Sequence, residues 1–494
     1  MAHENLIATG TPLFCDLYHL SMAQSWFLDG KADEKKNSEA FFRCHPFGGS
    51  YVIAAGLAEF VEWLQNWHFS DEDISYLRSE KYADGSQKFE ENFLRFIQKE
   101  PLQISIDAVE EGRVVFANEP VYSVTGPTWQ VELVEAALLN IFNSQSLIAT
   151  KASRMVYASS IDGKKRPLLE FGLRRCQELG CFSATRAAFI GGVDATSNIA
   201  AAKHYHIPSS GTMAHSFVMS YENELDAFKS FMKYNPKNTT LLVDTYNTKK
   251  GIENAIKAAI ETNIPLMGMR FDSGDLAYYA TEARKMLKQA PHQELFKETK
   301  LIASNDLDEH IIENLIAVQK APYDVFAAGT KLVTAYDTPA LGCVFKTKSY
   351  KRTPQIKVAE GKTTIPGATN VIRITRNNLF DGDIICRKED TKLIKNGKLT
   401  SKIISYNLGD LKGKKRIFEK GETAEYLLTE IMKNGKLVHK PETNLYNIQK
   451  RAKEELSHLD ESYKRLVNSH IYGVGLETNL YDLREKLIKK HLKG

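Results

Sequence analysis

Residues 241–276 read LLVDTYNTKKGIENAIKAAIETNIPLMGMRFDSGDL, and the fold is decided here. An apolar run closing on an acid, Leu241 to Asp244, predicts a buried strand, and the segment from Lys250 to Glu261 has helical spacing. A second strand follows from Pro265 to Arg270, then the polar loop Asp272-Ser273-Gly274-Asp275 and a helix from Leu276 to Leu287. Short apolar strands alternating with longer helices predict parallel strands covered by helices. The rhythm extends both ways. Upstream lie a strand at Leu168 to Gly172 and a helix at Ser197 to Tyr205. Downstream lie a strand at Lys300 to Asn305, a helix at Glu309 to Val318, and a last strand at Val325 to Ala328 before Gly329. This series predicts an α/β barrel or an open doubly wound sheet. No G-x-G-x-x-G follows any of its strands, which argues against a dinucleotide fold.

The flanks read differently. Residues 1–130 mix helices, at Leu17 to Phe27 and Leu57 to Trp67, with short Val- and Ile-rich runs at Leu102 to Ala108, Arg113 to Phe116 and Val121 to Val124. Val131 to Phe142 is apolar nearly all round and predicts a buried helix. Beyond about residue 345 the chain is more basic and loop-rich. Its two Lys-Asn-Gly-Lys stretches, 395–398 and 433–436, predict hairpin turns, and Leu480 to Leu492 predicts a surface helix. The expected organisation is an N-terminal α/β domain (1–130), a barrel (131–345) and a C-terminal region of hairpins and helices (346–494).

Composition narrows the function classes. In 494 residues, 65 Lys and Arg stand against 61 Asp and Glu, a formal charge of +4. That is too little to gather nucleic acid or an anionic membrane, so any anion is held by a few placed groups. The six cysteines form no C-x-x-C, which argues against a disulfide framework or a zinc site. No apolar stretch is long enough to span a bilayer, and MAHENLIATG lacks the basic and apolar regions of a signal peptide. A reduced, cytoplasmic protein is expected. Gly361-Lys362-Thr363 resembles the end of a phosphate loop, but Ile356 stands where that loop needs its first glycine.

In parallel βα architecture the loops after the strands share one face, and that face holds the site. Five predicted strands place polar groups there: Phe171 to Arg175, Asp244, Arg270 to Asp275, Asn305 with Asp306, and Gly329 to Lys331. Each alone has an ordinary explanation; Asp272 to Asp275, for instance, also reads as a helix cap. Together they have chemical content. Arginine forks pair with phosphate or carboxylate, aspartates suit Mg²⁺ or ribose hydroxyls, and Gly-Thr suits a terminal phosphate. They describe a sugar phosphate carrying a metal-bound polyphosphate. His215, in Gly211-Thr-Met-Ala-His215, sits among small residues and hydroxyls with room around its ring. A histidine held by a carboxylate can act as a nucleophile. There is no H-E-x-x-H and no G-x-S-x-G.

At these residues the chain resembles the nicotinate phosphoribosyltransferases. The resemblance runs through Asp16-Leu-Tyr-His-Leu-Ser-Met-Ala23, Phe41-Phe-Arg43, Pro46-Phe-Gly-Gly49, Phe171-Gly-Leu-Arg-Arg175 and Gly191-Gly192 with Asp194. It continues through Gly211 to His215, Arg270 to Asp275, Gly329-Thr-Lys-Leu-Val-Thr334 and Asp337-Thr-Pro-Ala-Leu-Gly342. It implies the irregular α/β barrel of type II phosphoribosyltransferases, with an N-terminal α/β domain and a C-terminal extension. It also implies the reaction of nicotinate with phosphoribosyl pyrophosphate, giving nicotinate mononucleotide and pyrophosphate in NAD salvage. Mg²⁺ and ATP as co-substrate belong to that picture, as does a homodimer with a shared site.

By the same resemblance His215 is the phosphorylated histidine, Arg270 binds phosphoribosyl pyrophosphate, and Thr212, Asn305, Gly329 and Thr330 lie on the substrate, the last two at its 5′-phosphate. Phe171 and Arg174 take the pyridine ring and its carboxylate, and Tyr18 reaches the ring of a neighbouring subunit. Asp244 and Asp272 are expected beside the ribose, where an oxocarbenium-like state develops; no metal ligands are assigned. Two departures stand out: His19 replaces a usual Gln, and Ala327-Ala328 precede Gly329 where glycine-containing pairs are frequent. Asp194 aligns with an amide-contacting residue of the nicotinamide-using relatives. Nicotinamide or quinolinate phosphoribosyltransferase, and a non-catalytic sugar-phosphate-binding barrel, are the alternatives.

Overall fold

A computed structural model describes residues 6–359, 363–390, 392–408 and 414–492. Gly361 and Lys362 of the phosphate-loop-like triplet, and the first five residues of the amino-terminal stretch, lie outside them. The chain forms two compact units: residues 1–147 together with 340–494, and residues 148–339. The sequence suggests three segments divided near 130 and 345, whereas these units divide at 147 and 339 and join the two flanks in one unit, which local pattern does not reveal.

The second unit is an α/β fold built on six parallel strands. In spatial order they are Ala195–Thr196, Leu168–Glu170, Val325–Ala328, Lys300–Ala303, Gly268–Phe271 and Thr240–Leu242. The last strand of the series pairs with the first, Ala328 opposite Glu170, so the sheet curls into part of a barrel. The strands are short because only their apolar middles are buried: Leu241, Leu242, Met269, Phe271, Leu301 and Phe326 are all inaccessible.

Side-chain caps start the intervening helices. Asn198, Asn247 and Asp275 accept from Ala201, Lys250 and Tyr278 N–H groups, opening helices Ile199–Tyr205, Thr248–Thr262 and Leu276–Gln289. Gly251 lets the second of these lie against its strand, since a Cβ there would come within 1.9 Å of the Val243 carbonyl. The predicted helix 309–318 is α-helical only over Glu309–Glu313; it widens to a π-turn over Asn314–Val318, where Gln319 N–H reaches the Asn314 carbonyl.

In the first unit a seven-stranded sheet explains how the flanks join. Strands Lys35–Phe41, Tyr122–Pro127 and Ser105–Val109 form its middle, with Val344–Tyr350 and Leu428–Lys433 added from the C-terminal segment on either side. An eight-stranded sheet belongs wholly to the C-terminal segment. Both Asn-Gly hairpins form, with positive φ at Asn396, Gly397, Asn434 and Gly435 as their turn type requires. Several helical features differ from expectation, among them helix Leu445–Ser457, which the sequence reading does not include. Helices Asp71–Ser79 and Glu91–Lys99 were missed in a polar stretch, although Ser70 and Asp73 form a capping box. The buried helix expected at 131–142 is instead two: Thr128–Leu133, then 25 residues from Glu135 to Ser159, prolonged by small Ala and Ser side chains.

Candidate active site

The loops after the parallel strands enclose a cleft of about 150 Å³. Phe171, Arg174 and Arg175 line it from the first strand's loop, Arg270 and Asp272 from the fourth. Ser304, Asn305 and Asp306, then Gly329 and Thr330, complete it from the last two. Seven of the sequence-predicted residues therefore meet: Phe171, Arg174, Arg270, Asp272, Asn305, Gly329 and Thr330. Three guanidinium groups face two carboxylates in this lining, so the local field favours an anion although the whole chain is near neutral.

Three more predicted residues stand behind this wall. Thr212 Oγ1 accepts from Arg270 Nη1 at 2.7 Å and fixes the fork. Asp244, only 8% exposed, accepts from the Asp272 backbone N–H at 3.0 Å and from Ser273 Oγ at 2.6 Å. Ser304 Oγ donates to Asp272 Oδ1 at 2.5 Å. His215 opens a short helix, its Nδ1 3.1 Å from Thr245 Oγ1 and its Nε2 3.9 Å from Asp272 Oδ2. Aspartate and histidine thus lie side by side at the rim of an anion cleft. Tyr18 belongs to the first unit, half exposed at the start of helix Leu17–Leu28.

Two buried polar atoms are unmatched by protein. Arg270 Nε and Asp244 Oδ1 have no hydrogen-bond partner among the described residues. A buried polar group left so costs on the order of 1–3 kcal/mol, which a ligand can recover. Burial pushes the Arg270 guanidinium below its usual value; Asp272 and Asp244 oppose this, and nearby Arg174 adds to it. Two guanidinium groups close enough to repel are a poor structural device and a good polyanion clamp.

Sequence reasoning missed the residues that hold these loops. Glu170, buried at the end of its strand, accepts from Gly172 N–H, from Thr185 Oγ1 at 3.0 Å and from Thr196 Oγ1 at 2.5 Å. It anchors the Phe171–Arg174 loop from below. Gly172 could carry no side chain, because a Cβ would meet Val333 at 2.4 Å, and a Cβ on Gly329 would press the Phe171 carbonyl at 3.1 Å. Lys331 Nζ donates to Asp308 Oδ2 at 2.6 Å, tying the last loop to its neighbour. Burial opposes the charge of Asp308, yet Lys331 holds its carboxyl below the usual range.

Among the described residues, the one group of three potential metal ligands is His19, Glu132 and Glu135 in the first unit. There His19 Nδ1 accepts the Asp16 backbone N–H at 3.2 Å, which puts the ring proton on Nε2, the wrong tautomer for a metal on that atom. Asp194 is exposed and does not line the cleft; its Oδ2 accepts from the Leu168 N–H, where that strand begins.

A curled parallel sheet with an arginine-rich, aspartate-backed cleft at its strand ends defines a type II phosphoribosyltransferase fold. Residues 13–143, 167–371 and 369–484 match the N-terminal domain, the family description and the C-terminal domain of nicotinate phosphoribosyltransferase (NAPRTase). The nicotinate phosphoribosyltransferase of Bacillus subtilis is 39% identical over 488 residues, covering 95% of this chain and 93% of that protein. Its Dictyostelium discoideum counterpart is 31% identical, covering 97% and 88%. In structure, human nicotinic acid phosphoribosyltransferase superposes with a TM-score of 0.81 at 25% identity, covering 96% of this chain and 99% of that one. The chain belongs to the nicotinate phosphoribosyltransferase family and is an enzyme of that family.

Proposed function

We propose that the protein is an ATP-coupled nicotinate phosphoribosyltransferase of NAD salvage, acting in the cytoplasm as a homodimer. The observation that carries the transferase reading is the convergence of Arg174, Arg270, Asp272, Asn305, Gly329 and Thr330 on one cleft with Asp244 Oδ1 and Arg270 Nε unmatched behind it. In this reading Gly329 and Thr330 receive the 5′-phosphate and Arg270 the pyrophosphate. Phe171 stacks on the pyridine ring, Arg174 pairs with its carboxylate, and Tyr18 closes the ring site of a second subunit. The ring nitrogen bonds to ribose C1 as the C1–oxygen bond breaks and pyrophosphate leaves with the electron pair. Asp244 and Asp272 stabilise the positive charge that develops on the ribose.

Oxygen donors of this kind suit Mg²⁺: Asp244, whose Oδ1 has no protein partner among the described residues, and Asp272 would hold it with the substrate's own phosphates, and its charge would there offset that of the leaving pyrophosphate. His215 takes the γ-phosphoryl group of ATP on Nε2, releasing ADP, while Thr245 accepts from Nδ1–H. The phosphohistidine adds about two negative charges beside the cleft and alters substrate affinity before water removes it. No phosphate passes to nicotinate. Recognition of the acid is supported by three arginines in the lining and by Asp194 lying outside it.

Steady-state assays with nicotinate, nicotinamide and quinolinate, with and without ATP, test this reading. Nicotinate is expected to be preferred; preference for either other ring overturns the assignment. His215→Ala is expected to retain slow transfer and lose ATP hydrolysis coupled to it. Coupled hydrolysis in that variant removes the phosphohistidine.

A further inference from the structure

The first unit holds a cavity of its own, about 440 Å³, built from none of the cleft residues. Trp26 and Tyr350 give it two aromatic walls, and Lys36, Lys346 and Lys357 bring three ammonium groups to it, with no carboxylate in the lining. Lys36 is already spoken for, paired with Glu132 and set 5.2 Å from the Trp26 ring centre. The ammonium groups of Lys346 and Lys357 have no ion-pair or hydrogen-bond partner among the described residues.

The walls are held in place. The Tyr350 hydroxyl donates to Glu34, and Gln355 N–H reaches the Lys348 carbonyl at 2.8 Å. Lys357 is fixed by two contacts with buried Thr364: its N–H donates to Thr364 Oγ1 at 3.0 Å, and its carbonyl accepts from Thr364 N–H at 3.1 Å. Cavities of roughly 300–1,000 Å³ with a few placed polar groups are the usual size of small-molecule sites. Uncompensated ammonium groups select an anion, and a flat indole selects a planar ring.

We propose that this cavity binds a nucleoside polyphosphate, its base against Trp26 and its phosphates on Lys346 and Lys357. The proposal does not rest on the transferase reading, because it uses no residue of the cleft.

The test is calorimetric titration of the full-length protein with ADP at about 0.15 M salt, in the Arg270→Ala background to suppress the cleft. ADP is expected to bind that protein, and Lys346→Gln with Lys357→Gln is expected to weaken binding roughly tenfold or more. Trp26→Leu should weaken ADP by a similar factor and leave inorganic tripolyphosphate unchanged. Absence of ADP binding, or equal binding by the lysine variant, overturns the site. Tripolyphosphate binding as tightly as ADP overturns the aromatic half of the proposal. Both lysines are partly or fully exposed, so the glutamine variant is expected to keep the parent's thermal unfolding midpoint.

Discussion

Two arginines, the buried Arg373 in one unit and the half-buried Arg270 in the other, show opposite uses of the same side chain. Arg373 is fully enclosed between Phe116 and Phe380, bonded to Asp383 through Nε and Nη2 and to Glu455 through Nη1. Burial works against its charge, but those carboxylates more than offset it and hold the guanidinium well above its usual value. Arg270 has one hydroxyl partner, an unmatched Nε and a guanidinium held below its usual value. The first arginine is saturated by the fold and serves it. The second is kept under-partnered, which costs stability and leaves binding energy for an anion.

Substitutions sharpen the contrast. Arg373→Ala leaves Asp383 and Glu455 buried without a counter-charge, and about 3–5 kcal/mol of stability is expected to go, seen in urea unfolding. Arg270→Ala should unfold no more easily than the parent and raise KM for phosphoribosyl pyrophosphate about 100-fold, near 3 kcal/mol. If the two variants exchange phenotypes, the comparison fails.

A third prediction concerns pH. His45 accepts the Ala117 N–H on Nε2, and burial pushes its pKa down to about 4 from 6.5. With the folded value below the unfolded one, its contribution is present above the unfolded pKa and is lost as pH falls toward the folded one. Stability should drop by about 2 kcal/mol between about pH 7 and 5, and His45→Gln should flatten that slope. The smallest effect is expected at Glu170. Glu170→Gln removes one acceptor beneath the Phe171–Arg174 loop and should raise KM for nicotinate roughly tenfold with kcat little changed. A matching loss in kcat would mean the loop does more than position the ring.

How much of this was written in the sequence follows from the same physics. The strand ends were legible because a barrel strand switches from apolar to polar where it meets the site, as at Val243-Asp244 and Ala328-Gly329. The Asn-Gly turns were legible because few residues accept positive φ. Glu170, Ser304 and the Lys331–Asp308 pair were not, since a buried acid or hydroxyl looks like any surface polar residue until its partners are known. The seven-stranded sheet was not legible either: strands 35–41 and 344–350 pair across three hundred residues, and local pattern carries no register.

On the proposed reading the barrel cleft performs transfer and does not merely hold sugar phosphate. Pyrophosphate release in a single turnover, on adding nicotinate to protein preloaded with phosphoribosyl pyrophosphate and Mg²⁺, tests it most directly. One pyrophosphate is expected for each nicotinate mononucleotide formed. Binding of phosphoribosyl pyrophosphate with no pyrophosphate released on adding nicotinate would contradict it.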